Sequence, residues 1–191
     1  DEELTRQTFN SYIKRLSSEV LYLNLHAIQY YWYHNPEIVT GFIDIIEKDV
    51  HTHKILAEIN FYGLIVPNRA DECKRRLEKL LCLDEEEVVA NLIKVCLKNF
   101  KHKEYTHLCE DYLRRFSKDG RESVIHSYCW YAKELPVNAF DLFLDIYSSF
   151  RTNKYRDISD ELKYIKECVI IYPQECLDFI QSQNYDDNEI S

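Results

Sequence analysis

Apolar residues recur at helical spacing along most of the chain, and the clearest case runs from Ser123 to Phe150. Val124, Ile125, Tyr128, Cys129, Ala132 and Leu135 follow one another at spacings of one, three and four, which puts them on one helix face. Ala139, Phe143, Ile146, Tyr147 and Phe150 repeat the pattern after Pro136. Proline lacks the N–H that would continue the first helix, yet its fixed φ suits the first turn of the next. Two short helices, each with one apolar stripe, must bury those stripes against each other or against a neighbour, so the stretch predicts a helical hairpin.

The spacing of the four prolines suggests that the hairpin repeats. They stand at positions 36, 67, 136 and 173, and the long middle gap is close to twice either of the others. Three residues after Pro36, Pro136 and Pro173 come Val39, Ala139 and Cys176; six and seven after come Phe42-Ile43, Leu142-Phe143 and Phe179-Ile180. A unit without its proline falls near His102, followed by Tyr105 and Leu108, whereas Pro67 fits the motif poorly. A period of about 34 residues is the size of one helix-turn-helix repeat. The expected fold is all-α, about eleven helices in stacked antiparallel hairpins (an α-solenoid), with an irregular helical bundle as the alternative.

In chain order, residues 2–14 read as a first helix with Leu4, Phe9 and Ile13 inward. A second runs from Ser18 to Tyr33 and ends at Asn35-Pro36, a cap followed by a first helical residue. Helices follow through Ile38–Ile46, then with a stripe from Val50 to Ile65, then from Pro67 or Asn68 to Leu81. Asp84 and Glu87 read as a capping box opening the helix of Val88, Leu92, Cys96 and Phe100. Tyr105 to Phe116 ends at Lys118-Asp119-Gly120, and Ser159-Asp160-Glu161 starts the helix before Pro173. The expected organisation is one helical-repeat domain over 1–181 and a disordered acidic tail over 182–191.

Composition narrows the class. Of 191 residues 46% are hydrophobic and 14% aromatic, enough for a real core. Only three glycines occur, too few for the tight turns of sheets or for phosphate-cradling loops. Seven cysteines without paired spacing argue for a reducing compartment and against a disulfide framework. No apolar run reaches the roughly 20 residues of a membrane span and no signal-peptide pattern opens the chain, so the expected setting is intracellular, cytoplasmic or nuclear. With Asp1 first and no methionine, the sequence reads as an excised or processed piece.

Catalytic signatures are weak. His51 and His53 are two apart, and one helix cannot aim both at a metal. His102, His107 and Cys109 lack a zinc spacing. His126 and Cys129 can touch across one turn, but Cys129 falls in the apolar stripe, where a structural thiol is expected. The sequence therefore predicts no enzyme, no cofactor and no metal.

Binding surfaces are the remaining candidates. Tyr30, Tyr31, Trp32 and Tyr33 put aromatic rings all round a helix end, more than one face buries, and such rings anchor interfaces. The net charge of −9 disfavours indiscriminate binding to nucleic acid or anionic lipid. Residues 94–121 nevertheless carry eight bases against four acids, and Lys98, Lys101, Lys103, Arg114, Arg115, Lys118 and Arg121 make a candidate basic patch.

The helix-proline-helix units at Tyr128–Phe150 and Tyr164–Ile180, with a weaker copy at Gln29–Ile46, resemble degenerate HEAT or armadillo-type repeats. The period also suits tetratricopeptide repeats, but Ile46 and Ile146 stand where that family expects a small residue. The resemblance implies a non-catalytic scaffold that binds a partner protein or peptide on a helical groove. Two further expectations are a helical sensor or regulatory segment of a larger protein such as an NTPase, and a nucleic-acid-binding repeat using residues 98–121.

Overall fold

The computed structural model describes Gln7, residues 25–148 and residues 158–182. The expected helix over 2–14, the start of the Ser18 helix, Phe150 and the tail from 183 lie outside them. Among the described residues the fold is all-helical, with ten α-helices and no strand. They are α1 (Leu25–His34), α2 (Pro36–Ile46), α3 (His53–Gly63), α4 (Ala70–Leu81), α5 (Glu86–Asn99), α6 (Thr106–Phe116), α7 (Glu122–Tyr131), α8 (Phe140–Ser148), α9 (Ile158–Cys168) and α10 (Pro173–Ser182). They form two compact units whose boundary, Leu92/Ile93, falls inside α5.

In the first unit α1 packs on α2 and α3, and α3 packs on α4. Pro36 opens α2 as expected, but the Asn35 side chain makes no cap bond; the cap position is filled and its hydrogen bond is not. The buried stripe of α2 is Val39, Phe42, Ile43 and Ile46. The expected stripe of α3 is instead burial on every side, from Ile55 through Phe61, with Glu58 and Asn60 included. That is the pattern of a helix surrounded by others. Trp32 crosses from α1 to donate its indole N–H to the Ile59 carbonyl at 3.0 Å, with none of its surface exposed.

Pro67 and Asn68 do not start a helix. They are the central residues of a turn closed by Arg69 N–H to Val66 O at 3.2 Å, with Asn68 at φ 65°. Proline followed by a left-handed residue is the chemistry of a type II turn, which is why Pro67 departs from the other three. The expected capping box is also displaced: α5 begins at Glu86, the Glu85 carbonyl accepts from Val89 N–H at 2.9 Å, and Glu87 pairs with Lys54 on α3.

Charged side chains join α4 to α2. Arg69 pairs with Glu37, and Arg76 pairs with Asp44 at 2.7 Å and Glu47 at 3.1 Å, while Glu72 bonds both arginines. Arg69 follows Glu37 by 32 residues, and Arg76 follows Asp44 by the same 32. Equal offsets two turns apart mean that α2 and α4 run in the same direction where the ion pairs join them.

In the second unit α6 contacts α8, and α9 contacts α10. The central hairpin forms with one correction. Its first helix stops at Tyr131, and 3₁₀ turns at Ala132–Glu134 and Val137–Ala139 flank Pro136, so that proline precedes α8 without opening it. Pro173 opens α10 directly. Tyr128 sends its hydroxyl to the Leu113 carbonyl at 2.6 Å, joining α7 to α6. The core beyond is aromatic: Phe143 lies 4.3 Å from Tyr147, 4.4 Å from Tyr164 and 5.8 Å from Phe179, ring centre to ring centre. Tyr164 also donates to the Pro136 carbonyl at 3.0 Å, holding α9 against the hairpin joint.

Candidate interaction surfaces

The four aromatics at the end of α1 divide. Trp32 is core, Tyr31 is half-buried, and Tyr30 and Tyr33 are exposed by 60% and 51%. Tyr30 lies against His34, ring centres 4.3 Å apart and planes tilted by 38°. A helix buries one side at a time, and Trp32, four residues after Ile28, falls on the buried one.

The seven candidate basic residues do not form one cluster. Lys98, Lys101 and Lys103 lie before α6, whereas Arg114, Arg115, Lys118 and Arg121 lie at or beyond its far end, about 16 Å away at 1.5 Å per residue. Several are already engaged. Arg114 binds Glu110 at 2.8 Å and Asp145 at 2.5 Å, and Arg121 binds Asp119 at 2.6 Å. The hydrogen bonds from Arg121 hold the Asp119 carboxyl below its ordinary pKa. Lys98 sits over the Tyr131 ring at 4.9 Å, and Arg115 lies over Phe116. Among the described residues Lys101, Lys103 and Lys118 have no ion-pair partner.

The candidate thiol–imidazole pair is split by burial. Cys129 is 2% exposed in the core, while His126 is exposed and lies 5.7 Å from the Trp130 ring. Among the described residues no group of three His, Cys, Asp or Glu side chains is placed to hold a metal. No described helix is long and apolar enough to cross a membrane.

A surface that sequence reasoning missed lies in the second unit, between the joint after α7 and the start of α9. Lys133, Glu134, Asp160, Lys163, Tyr164 and Glu167 line a cavity of about 250 Å³. Lys133 pairs with Asp160, and its ammonium also lies 5.9 Å from the centre of the Trp130 ring. Trp130 is 48% exposed. His126, Trp130 and Glu134 follow at four-residue intervals along α7 and its 3₁₀ extension, all three exposed. The sequence does place Trp130 between Cys129 and Tyr131, off the apolar stripe. The cavity itself depends on contact between segments about 30 residues apart, which local periodicity does not encode.

Comparison of the chain with protein-family models, with curated proteins and with solved structures gives no match.

Proposed function

We propose that the chain is an interaction scaffold of HEAT-like stacked hairpins that acts by binding a partner protein, with Trp130 and the Lys133 cavity as a contact site. The observation that carries the reading is a half-exposed tryptophan whose neighbour Lys133 lines a charged cavity. An indole in water forgoes its burial free energy, about 1.5–3 kcal/mol for a large apolar side chain, and a partner that covers it recovers that energy. The shared direction of α2 and α4 supports the hairpin-stack part of the reading. The nucleic-acid alternative gains less support, because its basic residues are divided between the two ends of α6 and partly neutralised.

A peptide-display selection against the full chain tests this. The reading expects peptides whose binding is lost in Trp130→Ala and kept in Tyr33→Ala. Recovery of no peptide, or of peptides indifferent to Trp130, overturns it.

A further inference from the structure

We draw no further inference here: the strongest candidate, the exposed apolar patch of Val169, Ile170, Ile171 and Leu177 at the joint between α9 and α10, carries nothing because nothing in the structure shows what covers it.

Discussion

Gly63 closes α3 directly against Cys73 of α4: a β-carbon built on Gly63 would lie 2.1 Å from the Cys73 sulfur and 3.0 Å from the Trp32 ring. All three residues are buried, and Trp32 continues the contact to the Ile59 carbonyl. The first unit therefore converges on one point where a helix end, a thiol and an indole leave no room for a methyl group.

Gly63→Ala is expected to destabilise the protein by about 1–3 kcal/mol, the usual cost of overpacking a close contact. Gly63→Ala combined with Cys73→Ala is expected to recover part of that loss, because removing the sulfur opens the space the methyl needs. Chemical denaturation of the two singles and the double gives the coupling, and strict additivity would contradict the contact.

Trp32→Phe removes the donor and leaves the buried Ile59 carbonyl without it. The lost buried hydrogen bond costs about 0.5–1.5 kcal/mol, to which the lost ring volume adds. Trp130→Phe, at a half-exposed site, is expected to change stability by less than about 0.5 kcal/mol. Thermal melts that show equal losses at the two tryptophans would contradict this assignment of core and surface.

Arg76 bonds three carboxylates while only 13% of its side chain is exposed. Arg76→Met is expected to cost about 1–3 kcal/mol, since charge-assisted bonds are lost and three acids are left facing one another. The loss is expected to shrink in high salt, which screens that repulsion. Denaturation midpoints at low and high ionic strength check it.

Burial pushes the Cys73 thiol up to about 12 from an ordinary 9.0. The folded protein keeps the proton that the unfolded chain releases. Its stabilising contribution is therefore intact below pH 9 and is lost as pH rises from 9 toward 12. Cys73→Ala is expected to flatten the alkaline fall in stability by up to one proton's worth of slope, measured by denaturation across that window.

Six of the seven thiols are buried and Cys82 alone is exposed. An aromatic disulfide reagent at neutral pH is expected to titrate one fast thiol in the folded protein and the rest only on unfolding. Cys82→Ser is expected to abolish the fast phase. More than one fast thiol would contradict the packing.

Helix content was readable because apolar spacing acts over a few residues: Val39, Phe42, Ile43 and Ile46 are both the stripe of α2 and its buried face. Pro36 and Pro173 were legible for the same reason, as first-turn residues. Cysteines followed their stripes except at Cys82. Long-range terms were not legible. Nothing local distinguishes Arg76, which reaches three acids, from Arg75 beside it, and nothing local places Glu134 and Glu167 around one cavity. Ion pairing also changes the meaning of a charge run, as Arg114 and Arg121 illustrate.

Hydrogen exchange on the full chain, with and without a peptide recovered by selection, tests the central claim most directly. The account predicts slowed exchange confined to residues 126–136 and 158–168, the two walls of the Lys133 cavity. Slowing at Tyr30–His34 or over 98–118, with the cavity walls unchanged, would contradict it.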